Sequence, residues 1–472
     1  MVKMVIAFGY VIVILIIGIL SAKKIKSTND FTVAGQSVPF WTNVSSMASM
    51  GIGAGATMGV ASLTYACGIS GNVLGIGAAL GGMLAGVVFV RKIYESGEHT
   101  VPSLLRSKLG KRVAAGMNIL VLIQLFSAVA AQIRSLGIIT QIFIPTSLAY
   151  ACIGMTLVAM IYVCIGGKTA TTKTDSINII IMVVAITVIM PIMCIKNTGG
   201  FEGMVATLPD FYFKPFTMGP AAMFAMMLWI TATGMTDGGY FLHYHSAKSA
   251  GEARKAMIVA NAFVVLPYML CCGLIGLAGA MLLPGLENSD SIIPAMVANY
   301  TTPIVGGIIL AGLLAAVMGT TAGVLMITSV TLTENVVKRV NSNIEGKKEL
   351  TCQRVCIVIV AALGILVALK ASSIVSIMQD LCAPAVSVAL PMFVAIFYWK
   401  KVTEQGAFLS MIISGILTIG WYLYGVIVLG GASPFGIHHI IIGIIVSALT
   451  LVIGSLATYR GNDESTVKKE VA

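Results

Sequence analysis

The chain has 472 residues, 58% of them apolar and only 10% charged, with 50 glycines and a mean hydropathy of +0.97. A water-soluble domain carries about 25% charged residues, so these figures exclude a soluble enzyme, a disordered scaffold and a coiled coil, and leave a polytopic helical membrane protein. The apolar runs are continuous over about 20 residues rather than alternating over about 10, which excludes a transmembrane barrel.

In chain order, thirteen segments hold the ~20 mostly apolar residues that a helix needs to cross ~30 Å of hydrocarbon: 2–22, 40–66, 70–90, 113–143, 147–166, 175–195, 219–242, 255–284, 304–336, 354–370, 373–399, 405–430 and 435–458. The first is not a signal peptide, because Lys23, Lys24 and Lys26 follow it and no small-residue cleavage site appears. The heavier positive flank belongs in the cytoplasm, which puts the N-terminus outside. On that topology 24 of the 29 Lys and Arg residues lie in cytoplasmic stretches, leaving Lys3, Arg134, Lys196, Lys214 and Lys370 elsewhere. The net charge of +11 is then explained by anionic lipid headgroups, with no call for nucleic acid.

The loops are too short to fold separately. Residues 1–460 are expected to form one transmembrane domain of a multi-pass cell-membrane protein, with its core at about 40–399 and a cytoplasmic tail at 461–472. The nine cysteines lie mostly in spans, without a CxxC, and read as buried small hydrophobes. His243 and His245 sit at a helix end and are expected to face headgroups. Glu334, beside Lys338 and Arg339, is expected to form an interfacial ion pair.

Two spans contain weak points. Gly51-Ile52-Gly53-Ala54-Gly55-Ala56-Thr57-Met58-Gly59 falls in 40–66 and Thr231-Ala232-Thr233-Gly234-Met235-Thr236-Asp237-Gly238-Gly239 in 219–242. Glycine lowers helix stability by roughly 1 kcal/mol relative to alanine, and irregular backbone at membrane depth is tolerated only in protein or against a cavity. Close packing of small residues is the alternative for the first stretch. The two weak points lie five spans apart and run in opposite directions, as in transporters built from inverted repeats with broken helices and a midplane site. Spans two to six would form one repeat and seven to eleven the other.

Six stretches, in order, resemble the sodium:solute symporter family, which includes sodium/glucose and sodium/proline carriers. They are Asp30-Phe31-Thr32-Val33-Ala34-Gly35-Gln36-Ser37, Thr100-Val101-Pro102-Ser103-Leu104-Leu105, Gly166-Gly167-Lys168-Thr169-Ala170 with Thr174-Asp175, Thr236-Asp237 with Ser246-Ala247-Lys248-Ser249, Ala315-Ala316-Val317-Met318 with Thr333-Glu334-Asn335, and Tyr398-Trp399-Lys400-Lys401-Val402-Thr403. The resemblance covers roughly residues 1–430. It implies an all-α fold of about 13 transmembrane helices with a 5+5 inverted-repeat, broken-helix core.

The resemblance also implies a sodium site between the first and eighth core helices, made of the carbonyls of Ser49, Ile52 and Ala316 and of two adjacent hydroxyls. Thr320 matches the second hydroxyl, but Gly319 stands where the first is expected; Thr321 follows. Asp175 matches an acid on the sodium release path, and capping of a helix start is the alternative. Proton coupling, or transport without coupling, stays open beside sodium.

The sugar-contact positions of the family fall on Ala56, Gly75 and Ala78, and only Gln379 keeps a polar group there. A polyol loses about 1–3 kcal/mol for each buried hydroxyl left unpaired, so a sugar is disfavoured. Arg134, inside a span, carries the fork of donors that suits a carboxylate. With Gln132, Thr57, Trp229, Thr233 and Gln379 it would favour a small carboxylate or amino acid. Snorkelling to the outer interface is the alternative, and Asp380 is a competing partner. The expected function is sodium-coupled symport of a small organic solute across the bilayer. A transporter-like nutrient sensor is the alternative from another class. No nucleophile–base pair or metal spacing supports an enzyme, and sodium is the only ion implied.

Overall fold

The computed structural model describes residues 2–22, 28–341, 344–370, 373–430 and 433–459. The expected tail 461–472 lies outside them. Every regular element among the described residues is helical, apart from one isolated parallel bridge between Val38 and Ala247. That bridge ties the loop after the first helix to the segment that follows the seventh expected span, with the Val38 N–H donating to the Ser246 carbonyl at 3.1 Å.

The helices that build the spans and the site are α1 (Val2–Ala22), α2 (Phe40–Gly51), α3 (Val60–Cys67), α4 (Val73–Val88), α5 (Lys111–Phe143), α6 (Leu148–Val183), α7 (Met190–Thr198), α8 (Pro220–Thr236), α9 (Phe241–Ser246), α10 (Ala250–Ala260), α11 (Leu266–Leu282), α12 (Pro303–Leu332), α13 (Lys347–Lys370), α14 (Ile374–Tyr398), α15 (Glu404–Val428) and α16 (His439–Thr458). Their bounds follow local chemistry. Thr100 and Ser103 form a reciprocal capping box with Pro102 in the first turn that follows. Ser147, Ser249, Ser373 and Thr403 each cap a helix through a side-chain oxygen.

Ten helical stretches among the described residues are long and apolar enough to cross a membrane, by length and composition. The expected thirteen are not reproduced on that measure. Val2–Ile17 is a shorter apolar run, and the expected spans 40–66 and 219–242 are each divided. Within α6, Gly167 adopts φ 51° and ψ −157°, so the helix is two rods meeting at the expected boundary between spans.

α12 is central: 89% of its most apolar window is buried inside the protein, against 28% for α15. Apolar side chains on the outer helices, such as Ile180, Ile416 and Ile427, are exposed, which is what lipid-facing positions require. Both breaks lie against this buried centre. α2 ends at Gly51; Ile52 leaves helical geometry (φ −99°, ψ 77°), and helix resumes through a π turn at Gly55–Gly59. α8 ends at Thr236, Asp237 is extended (φ −64°, ψ 112°), and a 3-10 turn leads into α9.

Candidate functional site

The first break and α12 meet at Thr320. Its hydroxyl donates to the Ser49 carbonyl at 2.8 Å and lies 3.1 Å from the Ile52 carbonyl and 3.2 Å from the Ala316 carbonyl. The geometry needs both features of the sequence. Ending α2 at Gly51 frees the Ser49 and Ile52 carbonyls from continued helix bonding. Gly53 lets α12 come close, since a Cβ there would lie 2.8 Å from both Gln132 Nε2 and Thr320 Cγ2. The four expected ligands Ser49, Ile52, Ala316 and Thr320 are thus brought together.

Gly319 faces the same cluster. A Cβ on it would lie 2.5 Å from Ser49 Oγ and 3.5 Å from Asp175 Oδ1. The space a side chain at 319 would occupy is filled by the Ser49 hydroxyl, which donates to Asp175 Oδ1 at 3.1 Å. Ser46 donates to the other Asp175 oxygen at 2.7 Å and lies 3.1 Å from His243 Nδ1. Asp175 is buried and is connected by hydroxyls to α2. The sequence offered no signal for this Ser46–Ser49–Asp175 arrangement, because it joins residues 126 and 129 positions apart.

Beside Thr320 lies a cavity of about 120 Å³, lined at both breaks by Gly53, Gly55, Asp237 and Tyr240 and between them by Gln132, Trp229, Thr233 and Asn261. A buried water needs about 10–15 Å³ on this measure, so the space suits several waters or a small solute. Much of its polarity is already engaged. Gln132 Oε1 accepts from the Ala54 N–H at 2.9 Å, Thr233 donates to the Trp229 carbonyl at 2.8 Å, and Asn261 Nδ2 donates to the Met257 carbonyl at 2.9 Å. Ala56, Ala78 and the methionines Met50, Met269 and Met378 complete an otherwise apolar wall. Asp237, Tyr240 and Asn261 are cavity residues that periodicity alone did not single out as contacts.

Of the six expected solute contacts, Gln132, Trp229 and Thr233 line this cavity. The other three do not. Thr57 is buried with its hydroxyl 3.1 Å from that of Tyr268. Gln379 Nε2 lies 2.9 Å from His438 Nε2. Arg134 is buried, with Nη1 donating to the Ala368 carbonyl at 3.1 Å. One helical turn separates Gln132 from Arg134 only in part: two residues rotate ~200° about an α-helix, so the two side chains leave α5 on different faces.

Three further expectations are corrected. Asp380 accepts from the Tyr422 hydroxyl at 3.2 Å rather than pairing with Arg134. His243 and His245 are buried, not headgroup-facing. Lys338 pairs with Glu349 at 2.7 Å, not with Glu334.

Comparison with known proteins places this geometry. The profile of the sodium:solute symporter family matches residues 31–414. A sodium/proline symporter of Salmonella typhimurium is 25% identical, over 95% of this chain and 91% of its own. One from Staphylococcus aureus is 24% identical over 96% and 92%. Among solved structures, a Na+-coupled sialic acid symporter in a substrate-bound outward-open state superposes with a TM-score of 0.81 at 16% identity, over 97% of this chain and 98% of that one. Mhp1, a nucleobase-cation-symport-1 family transporter in a closed conformation, superposes with a TM-score of 0.62 at 12% identity, over 91% and 95%. The broken-helix, inverted-repeat transporter fold follows from these superpositions. The chain belongs to the sodium:solute symporter family, and is a multi-pass membrane carrier of a small solute rather than an enzyme.

Proposed function

We propose that this family member couples the inward movement of a small, amino-acid-sized organic solute to sodium, with its N-terminus outside and its C-terminus in the cytoplasm. The observation that carries the reading is the convergence of three backbone carbonyls on the Thr320 hydroxyl beside a cavity lined at both helix breaks. Sodium is a hard cation that takes oxygen ligands. Ser49, Ile52 and Ala316 would supply carbonyls and Thr320 its hydroxyl, which gives up its hydrogen bond to Ser49 when the ion enters. The Ser49 hydroxyl stands in for the side chain that Gly319 lacks, and Asp175 receives the ion on its way inward.

Alternating access then follows from the breaks. α2 and α8 end near mid-membrane, so their halves can rock separately around a fixed site. An ion bound between α2 and α12 stabilises one arrangement of the two, and the adjacent cavity fills in that arrangement. A sugar is disfavoured because most polar groups in the cavity already have partners. Gln132, Trp229 and Thr233 would contact the solute. Proteoliposomes with an imposed sodium gradient test the reading. Solute accumulation should collapse when the gradient is abolished. Equal uptake with choline replacing sodium would refute the coupling, and reaction of an N-terminal cysteine only from the inside would refute the topology.

A further inference from the structure

The cavity has a one-sided charge. Asp237 is its single carboxylate, and no Lys, Arg or His is among its lining residues. Arg134, the base expected to serve it, is turned to the Ala368 carbonyl. Asp237 Oδ1 accepts from the Gly239 N–H at 2.8 Å, which caps the turn after the break. Among the described residues no base pairs with this carboxylate. Asp237 is half-buried and lines the cavity, while Gly238, Gly239 and Tyr240 next to it are buried.

A second observation is independent of the first. Trp229 is 1% exposed and lines the cavity, and its indole N–H has no hydrogen-bond partner. A buried donor of this kind needs an acceptor, and the cavity is where one can arrive. The remaining wall is aromatic and thioether-rich, from Trp229, Tyr240, Met50, Met269 and Met378. Aromatic faces attract cations and thioethers pack on alkyl groups. An anion with no positive group would meet the Asp237 charge in a low-dielectric space, where like charges repel strongly.

We propose that the solute carries a cationic nitrogen, a protonated amine or a quaternary ammonium, that pairs with Asp237 and a hydrogen-bond acceptor that meets the Trp229 indole N–H. The proposal rests on the reading of this cavity as the solute site of a sodium-driven carrier. It replaces a carboxylate held by Arg134 as the charge the protein recognises. An amino acid satisfies it through its ammonium group, with a carboxylate oxygen as the acceptor.

The test is uptake from an equimolar mixture of choline, glycine betaine, proline, putrescine, propionate and glucose into sodium-driven proteoliposomes, read by mass spectrometry. Species with both a cationic nitrogen and an acceptor should accumulate; choline or betaine against proline tells a quaternary group from a protonated amine, and putrescine, a diammonium without an acceptor, should lag behind them. Asp237→Asn keeps an acceptor for the Gly239 N–H, so it should fold, yet lower the affinity for the accumulated species on the order of tenfold or more, as loss of a charge-assisted contact does. Asp237→Glu should retain part of it. Trp229→Phe should weaken species with an acceptor several-fold. Accumulation of propionate or glucose alone, or unchanged affinity in Asp237→Asn, would overturn this proposal and leave the carrier reading standing. Accumulation of nothing under a sodium gradient would overturn both.

Discussion

Replacing Thr320 with valine removes one oxygen and almost no volume. In the wild type that hydroxyl lies 2.8, 3.1 and 3.2 Å from the Ser49, Ile52 and Ala316 carbonyls. It contributes twice. Without an ion it satisfies the Ser49 carbonyl left by the end of α2, a hydrogen bond of about 1 kcal/mol net. With sodium it becomes a ligand, and a contact to a charged group contributes about 1.5–3 kcal/mol. At ~1.4 kcal/mol per factor of ten, losing the second should raise the sodium concentration for half-maximal uptake by roughly 10–100-fold. Losing the first partly offsets this, because the ion-free state is weakened too, so the lower end is expected. Thr320→Ser keeps the oxygen and should stay within a few-fold of wild type. Sodium titration of uptake, and of thermal stability through the linkage between ion binding and folding, reads both variants. The same half-saturation in Thr320→Val and wild type would refute the assignment of this hydroxyl to sodium.

Three further outcomes follow from named contacts. Gly53→Ala places a Cβ 2.8 Å from Gln132 Nε2 and Thr320 Cγ2; the buried break cannot widen without separating α2 from α12, so sodium-stimulated uptake should be lost while the protein still inserts in the membrane. Arg134→Gln should lower the melting temperature, because the guanidinium bonds the Ala368 carbonyl near the end of α13, but should leave solute affinity within a few-fold; a large affinity loss without a stability loss would reinstate it as a solute anchor. Asp290, buried in the segment between α11 and α12, accepts from the Ile374 N–H at 3.0 Å at the start of α14, and burial raises its carboxyl above the ordinary 3.8. Its protonated form therefore favours folding: the contribution is full below that ordinary value and is lost as pH rises through the raised one. Asp290→Asn, which keeps an acceptor and cannot ionise, should melt above wild type at neutral pH with the gap closing on acidification. Asp290→Ala, which orphans the Ile374 N–H, should lose about 1–3 kcal/mol.

Membrane architecture was legible in the sequence because hydrocarbon imposes a one-dimensional constraint. Every backbone group must be bonded within its own segment, so spans appear as apolar runs, and each expected segment has a helix in the structure. The break points were legible for the same reason. Glycines such as Gly51, Gly53 and Gly55, and an acid such as Asp237, are unfavourable in a continuous span, and the chain leaves α-helical geometry at or beside them. The six motifs identified the family, and several of them act structurally: Thr100 and Ser103 cap a helix, Ser246 holds the bridge to Val38, and Gly167 turns the chain with a positive φ.

What the sequence could not determine was the direction in which side chains point. Gln379 was grouped with Arg134, Gln132 and Trp229 from the family's solute-contact positions, and Thr57 as a polar neighbour of the first break. Depth is a coordinate along a helix axis, whereas membership of a cavity is an angle around it, fixed by how each helix is rotated against its neighbours. Lipid-facing and protein-facing surfaces are similarly apolar in a membrane, so periodicity gives little sign of that angle. Packing against α12 turns Gln132 inward and leaves Arg134 on the Ala368 carbonyl. Packing also brings the Ser49 hydroxyl to the place that Gly319 vacates, a compensation between residues 270 positions apart that only the folded chain brings within reach.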